Sequence, residues 1–472
     1  MVNDNGGTVT NPNAFGLRID GALVTSGATK VVDEGMHTVS EDGLAGYAAG
    51  TWGGDCAPDG TVSLALDEDA VCTLTNDDIA PSLTLVKEVV NDDGGSAVES
   101  DWTLHADGPS PFSGAGPSVS NGLSFDAGTY HLSESGEPGG YLAGDWDCVG
   151  GTQLDADSVS IALGDDVTCT LVNDDLGAGL TLVKEVVNDH GGTASASQWT
   201  LTAQATDSLI SGTGPIVSSG ENFEPGTYDL SESGGPEGYA PSDWVCVGVT
   251  QDDADTVTLE LGQSATCTIE NDDIQPTLTV QNTVVSDNGG TVANPDAFGL
   301  RIDGGLVFDG VANPVNAGLR TVSQDGLPGY QAGNWGGDCA PDGSIELLPG
   351  QNAVCTVTND DIEPSLTLVK EVLNDNGGGA LASDWTLHAD GPTPFSGAGP
   401  SVSNGLSFDA GTYDLSESGG TGGYTASEWV CEGASQDDGD TITLGLGETA
   451  TCTITNDDDA TGQIFSDGFE SN

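Results

Sequence analysis

Positive charge is what this sequence lacks: 7 of its 472 residues are Lys or Arg against 75 Asp or Glu, for a formal net charge of -68. Nucleic acid and anionic lipid are bound by Lys and Arg that neutralise phosphates, so this surface repels both and attracts cations. Long apolar runs are also missing. None approaches the roughly 18 residues of a membrane-spanning helix, and no basic-led apolar segment opens the sequence, so no membrane insertion is expected. There is no His-Glu-x-x-His, no Gly-x-Ser-x-Gly and no Gly-Lys phosphate loop, and the 5 histidines are scattered, which argues against an enzyme. What remains is apolar enough to fold: 36% of residues are hydrophobic, and 71 glycines and 21 prolines mark frequent turns.

The chain repeats itself. Asn-Asp-Asp closes a block at Asn76, Asn173, Asn271, Asn359 and Asn456, with spacings of 97, 98, 88 and 97 residues. Each period is the size of one small domain and far longer than a solenoid unit. The expected domains are 1–79, 80–176, 177–274, 275–362 and 363–458, followed by a tail at 459–472. Short junctions such as Ile79-Ala80-Pro81 favour a rod over beads on a flexible tether. The first and fourth blocks share Asn-Pro-x-Ala-Phe-Gly-Leu-Arg-Ile-Asp-Gly, whereas the other three carry Leu-Thr-Leu-Val-Lys-Glu and Gly-Thr-Tyr-x-Leu-Ser-Glu-Ser. The first block has no counterpart of the opening strand at Leu278 to Val284. Either the sequence begins inside a domain or another chain supplies that strand.

Within a block the apolar period is two, and about seven short strands are separated by Gly/Asp/Ser/Pro turns. The expected fold is all-β: tandem two-sheet antiparallel sandwiches, prealbumin-like or immunoglobulin-like, arranged as a rod. An odd strand number puts the termini of each domain at opposite ends.

The 10 cysteines fall two per block, as Cys56/Cys72, Cys148/Cys169, Cys246/Cys267, Cys339/Cys355 and Cys431/Cys452. Each second cysteine lies on the apolar parity of the last strand, and each first is expected in the strand two before it. Two thiols with no second pair or histidine nearby make a poor zinc site, so intradomain disulfides and an oxidising, extracellular compartment are expected.

Three of the four lysines occupy one strand position, Lys87, Lys184 and Lys370, on the inward parity of the preceding leucines. Glu134, Glu232 and Glu417 fall on an inward parity of a second strand, and Asn173, Asn271 and Asn456 on that of the closing strand. Two readings fit. Lysine pairs with glutamate as a buried or rim salt bridge, or a neutral amine attacks the asparagine carboxamide and ties the first strand to the last. In the fourth block Lys and Glu are replaced together, by Asn282 (or Gln281) and Gln324, which both readings allow.

The opening-strand lysine, the Gly-Thr-Tyr-x-Leu-Ser-Glu-Ser…Gly-Tyr segment and the closing-strand asparagine together resemble the SpaA/CnaB-type prealbumin-like domains of bacterial surface proteins and pilins. The resemblance implies an autocatalytic isopeptide bond, promoted by the glutamate, for Lys87/Glu134/Asn173, Lys184/Glu232/Asn271 and Lys370/Glu417/Asn456. The tail Ile464-Phe465-Ser466-Asp467-Gly468-Phe469-Glu470 is similar to a short C-terminal signature of secreted proteobacterial proteins.

Each first strand ends in an acidic glycine turn, such as Asn91-Asp92-Asp93-Gly94-Gly95, at the pole where the last strand ends. Carboxylates converge there as Asp92/Asp93/Asp174/Asp175, Asp189/Asp272/Asp273, Asp287/Asp360/Asp361 and Asp375/Asp457/Asp458. Hard oxygen ligands of this kind suit Ca²⁺, the expected cofactor, although the twelve-residue calcium loop is absent. The alternative is a solubilising surface whose acids cap their own turns. The expected function is that of an extracellular, cell-surface stalk or filament. An adhesin or ligand-binding surface module is the alternative, and a secreted hydrolase a distant third. Head-to-tail self-association, with Gln463 to Phe469 completing the first block of another copy, is a further expectation.

Overall fold

A computed structural model describes residues 1–136, 138–220 and 223–460. The tail segment at Gln463 to Phe469, expected to act as a donor strand, lies outside the described residues.

The second domain shows the plan. One sheet runs Ser118–Ser120, Ser82–Val90, Asp166–Asp175, Tyr141–Ala143, with Asp147–Val149 also on Asp166–Asp175. The other runs Phe112–Ala115, Thr103–Asp107, Gly128–Ser135, Ser158–Ile161, Thr152–Gln153. Every pairing in the second sheet is antiparallel. In the first, the opening and closing strands run parallel along their whole length, from Ser82 opposite Asp166 to Val90 opposite Asp174. The fourth and fifth domains repeat that parallel pair. Because the two strands run the same way, both end at one pole, and the turn after the opening strand meets the last residues of the closing strand.

Period-two alternation buries Leu83, Leu85 and Lys87 on the opening strand and Val167, Cys169, Leu171 and Asn173 on the closing strand. Leu104, Tyr130 and Val159 complete the core from the facing sheet. Burial of side chains this size contributes about 1.5–3 kcal/mol each, before the entropy of ordering the chain is subtracted. No helix among the described residues is long and apolar enough to cross a membrane.

All ten cysteines are paired within their own domains. Cys148, Cys246 and Cys431 sit on strands directly opposite Cys169, Cys267 and Cys452. Cys56 and Cys339 differ from expectation: they follow the short strands Gly53–Gly54 and Gly336–Gly337 and lie in a buried bend. The cause is the local sequence Trp-Gly-Gly-Asp-Cys-Ala-Pro-Asp-Gly, which stops strand pairing at a glycine with φ of 75° or 71° and turns the chain early.

The chain forms two compact units. One comprises Met1–Glu185, Ala196–Gly235 and Ser242–Glu270; the other comprises Val186–Ser195, Pro236–Pro241 and Asn271–Asn472. The pole loops of the third domain thus belong with the fourth. The first domain has a thinner core than its relative, the fourth. Its closing strand is split into Cys72–Thr73 and Asn76–Asp78, against an unbroken Asn352–Asp361.

Candidate cross-link centres and pole clusters

In the second domain, the lysine, glutamate and asparagine come together through two strand faces. Lys87 lies opposite Leu171, and Asn173 is the next inward residue on the closing strand. Glu134 reaches them from the facing sheet, where it pairs with Leu104. Lys87 Nζ lies 3.0 Å from Glu134 Oε2, and Asn173 Nδ2 donates to Glu134 Oε1 at 2.7 Å. The carboxylate therefore touches the amine with one oxygen and the carboxamide nitrogen with the other. Trp102 closes the site, with Lys87 Nζ 4.9 Å from its ring centre.

The fifth domain repeats this arrangement: Lys370 Nζ is 2.7 Å from Glu417 Oε2, and Asn456 Nδ2 donates to Glu417 Oε1 at 2.8 Å. Lys370 Nζ is 4.9 Å from the Trp385 ring. In the third, Lys184 Nζ is 3.0 Å from Glu232 Oε2 and 5.1 Å from the Trp199 ring, and Asn271 is buried in its closing strand. Burial pushes all three lysines below the ordinary ammonium range, and the neighbouring glutamate only partly opposes it. Lys87 Nζ and Glu134 Oε2 meet as an ion pair, and both atoms, with Asn173 Oδ1, are buried without a further hydrogen-bond partner. The tryptophan lid was missed in the sequence because it comes from the facing sheet, where an aromatic residue reads as ordinary core.

The fourth domain fills the same three positions with amides. Asn359 Nδ2 donates to Asn282 Oδ1 and Gln324 Oε1, each at 2.8 Å, and Gln324 Nε2 returns a bond to Asn359 Oδ1 at 2.8 Å. Asn282 Nδ2 donates to the Pro295 carbonyl at 3.1 Å. This network is neutral and satisfied, and it holds no nucleophile.

At the poles, carboxylates gather as Asp92/Asp174/Asp175, Asp189/His190/Asp272/Asp273, Asp287/Asp360/Asp361 and Asp375/Asp457/Asp458, each with ligand atoms within 4.8 Å of one another. A fifth group, Asp4/Asp77/Asp78, was overlooked, although Asn3-Asp4-Asn5-Gly6-Gly7 carries the same turn pattern. Asp93 stands outside its group: it contributes its backbone N–H, 3.1 Å from Asp175. The buried member of each group is an acceptor for the turn. Asp175 takes N–H donors from Asp92, Asp93 and Gly95 at 2.6–3.1 Å, and Asp458 takes those of Asn376 and Gly378.

Burial pushes Asp78, Asp273 and Asp458 up, but these N–H donors outweigh it and hold them below the usual carboxylate range. Asp4, Asp93 and Asp287 are pushed up by desolvation and then by neighbouring carboxylates. Asp375 is pushed up first by Asp457. His190 is raised, chiefly by its contact with the Asp273 backbone.

Beside each of the first four clusters along the chain an apolar junction residue is tied on both sides. Ile79 donates to the Gly46 carbonyl and accepts from the Gly164 N–H, both at 2.9 Å. Leu176 does so with Gly140 and Gly262, Ile274 with Gly238 and Gly350, and Ile362 with Gly329 and Gly447, all at 2.6–2.9 Å. A further bond joins turn to neighbour: Ala127 to the Asn5 carbonyl, Ala317 to that of His190 and Ala410 to that of Asn288, at 2.6–2.8 Å. The equivalent Pro225 has no N–H to donate.

A family model for the prealbumin-like fold domain matches this chain five times, at residues 1–74, 78–171, 175–269, 273–357 and 361–454. The chain belongs to that family, as a tandem array of its domains. Among solved structures it is similar to the TIE protein of Bacillus anthracis, at 12% identity and TM-score 0.40 over 90% of this chain and 71% of that one. It is also similar to the pilus adhesin SpaC of Lactobacillus rhamnosus GG, at 12% identity and TM-score 0.22 over 76% of this chain and 57% of that one. For two B repeat units of the collagen-binding protein of Staphylococcus aureus, the values are 10% identity and TM-score 0.16 over 80% and 99%. No curated protein sequence matches the chain.

Proposed function

We propose that this chain is a load-bearing structural protein of the bacterial cell exterior, a stalk or filament segment whose second, third and fifth domains are each tied from first strand to last by an isopeptide bond. The observation that carries this reading is the glutamate bridging amine and carboxamide in one buried site. Burial favours the neutral amine, and Glu134 accepts the proton that Lys87 gives up. Lys87 Nζ then attacks Asn173 Cγ, Glu134 passes the proton it holds to Nδ2 as the Cγ–Nδ2 bond breaks and ammonia leaves, and the freed carboxylate takes up the second proton that Nζ sheds on becoming an amide. Lys370, Glu417 and Asn456 do the same in the fifth domain. Lys184, Glu232 and Asn271 hold the equivalent sequence positions in the third.

Such a bond shortens the path that tension takes through a domain, because force entering the opening strand leaves by the closing strand without unzipping the core between them. The paired junction hydrogen bonds and the disulfides support the same reading, and the disulfides require an oxidising compartment. Single-molecule stretching of the whole chain under oxidising conditions tests it. The fourth domain is expected to unfold and lengthen at moderate force while the second, third and fifth do not. Five equivalent unfolding steps would refute the cross-links.

The pole clusters are proposed to bind Ca²⁺ weakly. Carboxylates such as Asp92 and Asp174 crowd beside the exposed turn, and a divalent cation relieves that repulsion next to the junction. Calcium is expected to raise the melting temperature and chelator to lower it. A melting temperature indifferent to both removes the proposal.

A further inference from the structure

The three lysine domains share a two-residue Gly-Pro link that the first and fourth domains lack. In the second domain Gly116-Pro117 carries the chain from Phe112–Ala115, at the edge of one sheet, to Ser118–Ser120, beside the opening strand of the other. Ser118 pairs with Val86, so the link runs alongside the next residue, Lys87. The Lys87 N–H donates to the Pro117 carbonyl at 2.8 Å, and the Gly116 N–H donates to the Trp102 carbonyl at 3.1 Å. One short link thus holds both the residue that carries the amine and the residue whose ring covers it. Gly214-Pro215 and Gly399-Pro400 repeat the arrangement. Lys184 and Lys370 donate to their proline carbonyls at 2.8 Å, and the two glycines donate to the Trp199 and Trp385 carbonyls at 3.0 Å.

The link also presses on the root of the lysine side chain. A Cβ on Gly116 would lie 2.3 Å from the Glu99 carbonyl oxygen and 3.1 Å from Lys87 Cβ. On Gly214 it would lie 2.5 Å from the Ala196 oxygen and 3.0 Å from Lys184 Cβ, and on Gly399 2.3 Å from the Ala382 oxygen and 3.0 Å from Lys370 Cβ. No side chain fits at such distances, so glycine is what lets the link seat against the lysine. The fourth domain, whose amide network holds no nucleophile, is built differently at this point. Its edge strand Ala312–Pro314 pairs only as far as Thr279, and the Asn282 N–H donates instead to Asp309 Oδ1 at 2.6 Å.

We infer that the Gly-Pro link is a positioning element for the cross-link: by fixing the lysine backbone and the root of its side chain it aims Nζ at the asparagine, and so sets the rate at which the amide forms. The inference rests on the isopeptide reading above. In the fifth domain Lys370 Nζ bonds to Asn456 Cγ as the Cγ–Nδ2 bond breaks. Glu417 passes one proton from Nζ to the ammonia that leaves and retains another. Gly399 and Pro400 touch none of the reacting atoms and act through Lys370. A misplacement of about 1 Å between reacting groups costs about 100-fold in rate.

Gly399→Ala and Gly397→Ala, compared in the full-length oxidised protein, test this. Gly397 is also tight, but the atoms nearest its missing Cβ belong to Val402, at 2.6 Å, and not to the lysine. Each protein is denatured, chains with free thiols are removed by a thiol-reactive mass tag so that misfolded molecules are not counted, and free lysine amines are labelled and located by mass spectrometry. The unmutated chain and Gly397→Ala should lose three ammonia molecules. Freshly purified Gly399→Ala should lose two, with Lys370 free while Lys87 and Lys184 of the same molecules are blocked, and the third loss should follow slowly. Both changes are also made with Asn456→Ala, where no bond forms in the fifth domain, so that chemical denaturation reads the stability cost of each glycine by itself. Lys370 blocked in Gly399→Ala as early and as fully as in the unmutated chain overturns the inference. An equal delay in both variants at equal stability cost does so too, because the link would then act through stability alone. Free Lys87, Lys184 and Lys370 in the unmutated chain refute the cross-link itself and the positioning role with it. If the fifth domain of Gly399→Ala does not fold, Gly116→Ala against Gly114→Ala, which meets Val119 at 2.6 Å, makes the same comparison in the second domain.

Discussion

The fourth and fifth domains share a fold, a disulfide and a parallel first-to-last strand pair, yet they fill one buried polar site in opposite ways. In the fifth, Lys370, Glu417 and Asn456 place a charge pair against a carboxamide. In the fourth, Asn282, Gln324 and Asn359 form a closed amide network. The amide version gives each of its three side-chain oxygens a hydrogen-bond donor and stops there. The charged version leaves Lys370 Nζ, Glu417 Oε2 and Asn456 Oδ1 without hydrogen-bond partners. An ion pair under those conditions is a costly way to hold two sheets together, whereas an amide made from the same atoms removes both the charge and the unpaired amine.

Substitutions at these positions put the contrast to work. Lys370→Met would remove the proposed cross-link and leave the largely buried Glu417 without its cation. By loop-closure entropy alone the fifth domain should lose about 4–5 kcal/mol in chemical denaturation, and the orphaned carboxylate adds to that loss. Asn282→Lys alone puts an unpaired ammonium into the fourth domain and should cost about 3–5 kcal/mol. Adding Gln324→Glu should reverse that loss and produce one further ammonia loss in the intact mass; if it restores stability without the mass change, the charged triad is a salt bridge and no more.

Disulfides are a smaller lever, and one the two domains share. Cys431 and Cys452 are 21 residues apart and Cys339 and Cys355 are 16 apart. By loop length alone, in a chain with no other cross-link, opening either bridge by a double Cys→Ser change costs a similar amount, about 3 kcal/mol. If the fifth domain is cross-linked, its melting temperature should fall less than that of the fourth, because the isopeptide bond already restricts its unfolded chain.

The smallest effects are those of pH. In an Asn456→Ala protein Lys370 stays free, with a folded-state pKa below that of the unfolded chain. Stability is then lowest while the folded lysine is protonated, and it rises as pH climbs through the depressed pKa toward the ordinary value of about 10.4. The unmutated domain should show no such rise. Asp458, held low by N–H donors despite its burial, stabilises above the ordinary carboxylate pKa, and that contribution is lost as pH falls through its folded value. Asp375, raised by Asp457, acts oppositely, its repulsion fading as pH drops from the raised value to the ordinary one. Carboxyl-carbon NMR titration of the two residues checks both signs.

Much of the site was legible because a strand has a period of two. Leucines at alternate positions fix which way Lys87 faces, and the same parity fixes Asn173 and Glu134. The pairing of cysteines followed from their count per block. Other features depend on information that side-chain patterns do not carry. The role of Asp175 as acceptor for the turn depends on backbone N–H directions, and the junction ties are entirely backbone bonds. Alternation reads alike for parallel and antiparallel neighbours, so the parallel first-to-last pair was not legible in it. The bend at Cys56 and Cys339 was signalled by Gly-Gly and Pro-Asp-Gly, a turn signal given less weight than strand parity.

The most direct test is the intact mass of the full chain, measured non-reduced and after reduction. Cross-linked second, third and fifth domains should leave the reduced protein lighter than its sequence by three ammonia molecules, with the further loss of two hydrogens per disulfide seen only before reduction. A reduced mass equal to that of the sequence would mean that Lys87, Lys184 and Lys370 remain free amines, and the tension-bearing role built on them would fall.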